Sequence, residues 1–333
     1  MNRPSILTRA NTIVEPALRK AVGSLDPHLR TPAEYHFGWI EPDGTPSSGG
    51  GKGVRPALAV LGAEAVGGEA ESAIPGAVAL ELIHNFSLIH DDIMDGDRTR
   101  RHRRTVWDLY GVGDAIIVGD ALHTLAFEVL LEQTGTTRLA AAGRLADASS
   151  SIIAGQAQDV ALDRSNDATL ASCLTMTANK TGALLAQSVA IGAVLAEADP
   201  DAVASLERYG AELGLSFQAI DDVLGIWGDP EITGKPAGND LRQRKKSIPV
   251  ALGFELNGEL ADELRIAFRG EMTDAVVVHL SDRLEQSGIR ERVHELARTH
   301  LDAAIAALGT CPVVSSAVDE LEQLARFVVE RNF

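Results

Sequence analysis

Asp91, Asp92 and Asp95 close an apolar run in which Leu80, Ile83, Leu88 and Ile89 recur at helical spacing. Residues four apart share a helix face, so Asp91 and Asp95 point the same way with Asp92 beside them. Like charges so placed repel, at roughly 0.2–0.5 kcal/mol per pair even in solvent, and the arrangement invites a cation. Carboxylates without nearby cysteine or metal-spaced histidine suit magnesium or calcium, not zinc. Magnesium commonly takes one or two carboxylates, several waters and substrate phosphates. Arg98, Arg100, Arg101, Arg103 and Arg104 follow at once, and the planar arginine fork matches phosphate oxygens. Acid for a metal and base for phosphate in one stretch suggest a diphosphate bridged between them. A solvated, charged helix end is the plainer alternative.

A second acidic pair, Asp221 and Asp222, ends another apolar run about 130 residues on, with Gly225 one turn later. Two facing acidic helices would hold several magnesium ions round one diphosphate. Lys52 and Arg55 lie in GGGKGVRP, where glycines admit a close ligand and two cations could grip a second diphosphate. Gly53 follows Lys52 where a Walker loop needs Ser or Thr, so this is no such loop. A flexible linker opening a helix is the alternative. His84 lies two turns before Asp91 and faces roughly the same side; a satisfied core histidine is its plainer reading. Lys180, Thr181 and Gln218 are polar groups inside apolar helices, and burying them unpaired would cost a few kcal/mol. Lys235, Lys245 and Lys246 sit in a charged loop near the second acidic pair.

These residues need helices to carry them. Ala and Leu recur, β-branched alternation is rare, and ten or more helices with no convincing strand predict an all-α protein. Helices are expected over 5–24, 72–92, 113–133 (buried), 137–160, 169–197 and 201–228. Residues 31–53 and 229–246, rich in Gly and Pro, are expected to be loops. The chain reads as one domain over 1–333, with an N-terminal helix in 1–30. A net charge of −17 argues against a nucleic-acid partner. Cys173 and Cys311 read as buried, reduced thiols. No signal-like leader or uninterrupted apolar span is visible, so a cytoplasmic enzyme without a membrane segment is expected.

Taken together, the motifs resemble the trans-polyprenyl diphosphate synthases from about residue 45 to the C-terminus. GGGKGVRP is similar to that family's Gly-Lys-x-x-Arg-Pro motif, and DDIMDGDRTRR to its first aspartate-rich motif with paired arginines. GQAQD (155–159), Lys180-Thr181, FQAIDD (217–222) and TGKPAGNDL (233–241) also match. The resemblance implies an antiparallel helix bundle round a deep cavity, usually a homodimer. It implies that Asp91 and Asp95 ligate two magnesium ions and Asp221 a third, with Asp92 and Asp222 in support. Lys180 and Lys235 would then touch an allylic diphosphate, with Arg100 on the same side and Lys245 nearby. Lys52, Arg55, His84 and Arg101 would bind isopentenyl diphosphate, and Thr181 and Gln218 would steady the allylic cation. Gly225 replaces the last acid of the family's second motif, which would loosen the third metal; Trp107 and Arg104 replace a common His and Pro. Phe86 and Ser87, five and four residues before Asp91, would set the cavity floor and imply a twenty-carbon product. Farnesyl or longer products, a class I terpene cyclase and a non-catalytic partner subunit are the alternatives. The Lys52, Arg55, His84 and Arg101 set argues against a cyclase.

Overall fold

Helix α4 (Ile74–Met94) starts with Pro75 in its first turn and buries side chains all round, from Leu80, Leu82 and Ile83 to Ile89. A helix apolar on every side belongs at the centre of a bundle. By length and composition alone it would also pass for a membrane span, but 61% of that apolar window is buried inside the protein, as in a core helix. The computed structural model describes residues 3–47, 49, 51, 53–165, 168–230, 236–256, 258–310 and 313–330.

Before α4 come α1 (Ser5–Gly23), α2 (Pro27–Phe37), α3 (Val54–Ala65) and a 3₁₀ turn (Ala70–Ala73). A short hairpin follows, β1 (Thr99–Arg100) and β2 (Arg103–Arg104), then α5 (Val106–Tyr110), α6 (Val112–Leu131), α7 (Thr136–Arg164) and α8 (Leu170–Thr177). A π turn (Ala178–Gly182) joins α8 to α9 (Ala183–Leu195), and α10 (Pro200–Trp227) carries the second acidic pair. The chain finishes with α11 (Asn239–Arg242), α12 (Ile248–Glu255), α13 (Glu259–Arg269), α14 (Asp274–Gln286), α15 (Ile289–Leu308) and α16 (Ser315–Glu330). The fold is all-α. Helix α10 runs between α9 and α15, α3 packs on α9, and α4 packs on α6. Small residues bring α3 and α9 together: a Cβ at Gly62 would fall 2.1 Å from the Val189 carbonyl oxygen, and one at Gly192 1.9 Å from that of Ala59.

The structure departs from the expectations in five places, one of them α11 (Asn239–Arg242), a single helical turn inside the expected loop 229–246. Residues 31–37, expected as loop, belong to α2. Asp26 caps it by accepting from the His28 amide (2.9 Å), Pro27 opens it and Gly38 closes it with φ +78°; the helix absorbs Pro32, which reads as a breaker. The hairpin is a strand pair where none was expected. Its turn residues, Arg101 and His102, both have positive φ (52° and 62°), the geometry of a two-residue hairpin turn without its usual glycine. The predicted helix over 169–197 is interrupted by the π turn. Finally, α6 is buried on one face only: Val112, Ile116 and Ile117 are exposed.

Candidate functional site

The end of α4 places Asp91 and Asp95 one turn apart, and α10 places Asp221 across a cavity of about 450 Å³ that all three line. Arg100, Lys180, Thr181, Gln218, Asp222 and Lys245 line it too. A second cavity of about 370 Å³ adjoins it and is lined by Arg55, His84, Ser87 and Arg101. Asp91, Arg100, Lys180, Thr181 and Asp221 line both. Helices far apart in sequence therefore converge on one acidic chamber with a basic annex. Lys52 and Lys235 lie outside the described residues, as does Cys311.

Burial pushes Asp91 up to about 6, against the pull of Lys180. A carboxylate so placed is short of positive charge. Lys180 supplies part of it: its Nζ lies 2.7 Å from Asp159 and 3.8 Å from Asp91. Lys245 lies 3.8 Å from Asp95 on the opposite rim. Burial opposes the charge on both lysines, but the carboxylates outweigh it and raise their pKa, Asp91 and Asp159 for Lys180 and Asp240 and Asp95 for Lys245.

The neighbouring acids have different tasks. Asp92 is 1% exposed and gives one oxygen to Arg100 at 2.8 Å, so it aims the arginine. Its other oxygen is buried without a hydrogen-bond partner. Asp222 accepts from Gln218 (2.8 Å) and from the Ile248 amide (2.8 Å). Burial, with Asp240 close by, pushes it up to about 7. Gln218 in turn accepts from the Thr181 hydroxyl at 2.9 Å. A hydrogen-bond chain thus runs from the π turn through α10 to the start of α12.

Two glycines hold the π turn in place. A Cβ at Gly155 on α7 would lie 2.5 Å from the Lys180 amide nitrogen, and one at Gly214 on α10 2.5 Å from the Gly182 Cα. Single π turns recur at functional sites because they re-aim side chains within a helix. Here one presents Lys180 and Thr181 to the chamber.

The basic annex is a desolvated cluster. Burial, partly offset by Glu81, pulls Arg55 down to about 10, and its Nε is buried without a partner. Burial and the field of Arg55, Arg101 and Arg100 hold the His84 imidazole well below its usual value. His84 is therefore a neutral wall residue of the cavity, not a sealed core histidine. Phe86 and Ser87 separate: Ser87 lines the annex, while Phe86 lies behind it, edge-on to His90 and His123 with ring centroids 4.9 Å away in each case.

Sequence reasoning assigned no role to Asp159, Glu81 or Asp240. Asp159 stood in the GQAQD segment, and only tertiary packing pairs it with Lys180. Asp240 bears on the departure at Gly225. A Cβ at Gly225 would fall 2.0 Å from Asp240 Oδ2 and 2.4 Å from its Cγ. The Asp240 carboxylate of α11 thus occupies the space that any side chain at 225 would need. The Gly238 amide, bonded to the Ile226 carbonyl (2.9 Å), ties that segment to α10.

Among the described residues, no three His, Cys, Asp or Glu side chains converge as a ready-made metal cage. The donors are carboxylates on two walls, which suits a hard ion that keeps water and takes phosphate oxygens.

An all-α bundle whose centre joins an acidic chamber to a basic one defines an enzyme that handles diphosphates. The family model described as polyprenyl synthetase matches residues 45–279, and the chain belongs to that family, the trans-polyprenyl diphosphate synthases, which are prenyltransferases. A farnesyl diphosphate synthase of Mycobacterium tuberculosis is 42% identical over 338 residues, covering 98% of this chain and 93% of its own. A geranylgeranyl diphosphate synthase of the same organism is 42% identical over 311 residues, covering 91% and 88%. The crystal structure of a polyprenyl synthetase from Streptomyces coelicolor superposes with a TM-score of 0.93 at 47% identity, covering 98% and 99%.

Proposed function

We propose that this chain condenses isopentenyl diphosphate with an allylic diphosphate, assisted by magnesium, to give geranylgeranyl diphosphate. One observation carries the reading: Asp91 and Asp221, from α4 and α10, line a single chamber with Lys180, and the Arg55, His84 and Arg101 annex opens from it. Asp91 and Asp95 on one wall and Asp221 on the other would hold the ions, three by analogy with the family. Asp240 supplies the carboxylate missing at 225. Magnesium, when bound, stabilises charge building on the departing pyrophosphate.

The chain's own residues do the rest. Lys180, with Arg100, grips the allylic diphosphate, and Lys245 closes on it from the α11 side. Arg55, His84 and Arg101 hold isopentenyl diphosphate in the annex, its double bond turned toward the allylic carbon. Arg55 brings an unpaired buried N–H that a phosphate oxygen would satisfy. The allylic carbon–oxygen bond breaks, the isopentenyl double bond attacks, and the proton lost leaves on pyrophosphate. Thr181 donates its hydroxyl proton to Gln218, so its oxygen offers lone pairs to the passing cation. The apolar walls deny that cation water.

Phe86, braced by His90 and His123 beneath Ser87, supports a floor at twenty carbons. Farnesyl diphosphate is the second reading, because a farnesyl synthase and a geranylgeranyl synthase are each 42% identical, the farnesyl enzyme over 338 residues and the other over 311. The outward apolar face of α6 supports a homodimer. Incubation with labelled isopentenyl diphosphate and dimethylallyl, geranyl or farnesyl diphosphate, followed by chromatography, tests the reading. A twenty-carbon product upholds it, a fifteen-carbon product replaces the length, and cyclic products or no incorporation reject it.

A further inference from the structure

Two contacts cross the rim of the acidic chamber. Gln243 Nε2 donates to Asp97 Oδ1 at 3.0 Å, over 146 residues of chain. Two residues on, Lys245 Nζ lies 3.8 Å from Asp95 Oδ2. The loop after α4 and the turn after α11 thus face each other in reverse order, 243 against 97 and 245 against 95. Asp95, Asp97 and Lys245 all line the chamber. Both sides of the crossing are anchored. The Asp97 carbonyl accepts from the Thr105 hydroxyl (2.9 Å) and from the Trp107 indole (2.8 Å), and the Asp97 amide donates to the Asp92 carbonyl (3.0 Å). On the other side, the Gln243 side-chain oxygen accepts from Asn239 (3.2 Å), which leaves its nitrogen to donate across. Arg244 takes a positive φ (56°), and the amides of Arg244 and Lys245 donate to the carbonyls of Leu241 (3.0 Å) and Asp240 (2.9 Å). That is the Schellman closure of a helix end, and it fixes Gln243 and Lys245 on one tight turn.

We propose that Gln243 is a positioning residue for the allylic diphosphate: by holding Asp97 it keeps the turn, and with it Lys245, over the chamber. The inference rests on the reading of Lys245 given above. A lysine side chain is long and flexible, so its reach is decided by where its backbone is held. A partly solvated ion pair at 3.8 Å holds the ammonium only weakly, and a diphosphate in the chamber competes with Asp95 for it. The Gln243–Asp97 bond has a charged acceptor, which places it in the stronger class of hydrogen bonds, and it persists while Lys245 changes partner. Trp107, standing where the resemblance expects a common His, serves here to hold the Asp97 carbonyl. The latch has no member in the annex of Arg55, His84 and Arg101, so its loss should fall on one substrate only.

The test joins steady-state kinetics of the full chain with magnesium to calorimetric titration of geranyl S-thiolodiphosphate, whose bridging sulfur resists ionisation. Gln243→Leu should raise the allylic KM and the Kd of the thiolo analogue about tenfold. KM for isopentenyl diphosphate and the magnesium needed for half-maximal rate should stay within about twofold. Gln243→Glu sets two carboxylates together and should do at least as much. Combining Asp97→Asn with Gln243→Glu returns an amide opposite a carboxylate and should bring both values back to within about threefold of wild type. Should Gln243→Leu fail to fold, Gln243→Glu and the combined exchange carry the comparison. An allylic KM and Kd unmoved in Gln243→Leu, while Lys245→Gln raises both, overturn the latch alone. So does an exchange no better than Gln243→Glu, or a loss spread equally over both substrates. Values unmoved in Lys245→Gln instead withdraw Lys245 from the allylic diphosphate, and the latch with it.

Discussion

Asp91 shows how a binding site is stored as instability. Its pKa of about 6 in the folded chain lies above the ordinary carboxylate value near 3.9. Between those values the folded state holds a proton that the unfolded chain has released. Metal-free stability therefore falls as pH rises from about 4 to 6, and the full penalty, roughly 3 kcal/mol, persists above that. Asp91→Asn should abolish turnover yet raise the melting temperature of metal-free protein at pH 7, with the gain shrinking toward pH 4. Calorimetry across that range checks both the sign and the window. At Gly225, the Gly225→Ala variant should displace the Asp240 carboxylate and raise the magnesium needed for half-maximal rate several-fold; metal titration of activity reads this. Phe86→Ala should lengthen the product and His123→Ala should do so partially, because each removes one side of the ring contact. At this scale the sequence was most readable where acids end an apolar helical run, as Asp91 and Asp95 do one turn apart and Asp221 does beside Asp222. Glu81, Asp159 and Asp240 were opaque, because each is defined by its surroundings on other elements.

The elements that position these residues are held by backbone geometry that composition hides. Long helices such as α4 and α10 declare themselves through apolar periodicity. The π turn does not, because its residues, ANKTG, look like any helical interior and the irregularity is imposed by Gly155 and Gly214 pressing from either side. Gly155→Ala should push the Lys180 backbone away, cost about 1–3 kcal/mol through overpacking and lower kcat more than it disturbs KM for isopentenyl diphosphate. The hairpin was equally hidden, since Arg101 and His102 adopt the left-handed region without a glycine to announce it. Such residues store roughly 1–2 kcal/mol each. His102→Gly should recover about half of that as thermal stability while keeping the hairpin, whereas Arg101→Gly should lose isopentenyl diphosphate affinity along with its guanidinium.

For the molecule as a whole, a chain with net charge −17 still lines its cavities with Arg55, Arg100, Arg101, Lys180 and Lys245. The exposed apolar residues of α6, Val112, Ile116 and Ile117, are the surface that the proposed homodimer would use. Ile117→Glu should shift sedimentation velocity from dimer to monomer, while a neutral Ile117→Ser should do so less. Helix α6 also carries His123 against Phe86. Ile116 and Val112 stand seven and eleven residues before it, within about 20° round the helix, so the exposed apolar patch and the ring that braces Phe86 share one side of a single rod. If the proposed dimer seats a second copy on that patch, separating the subunits by dilution should blur the stopping point and widen the spread of chain lengths released.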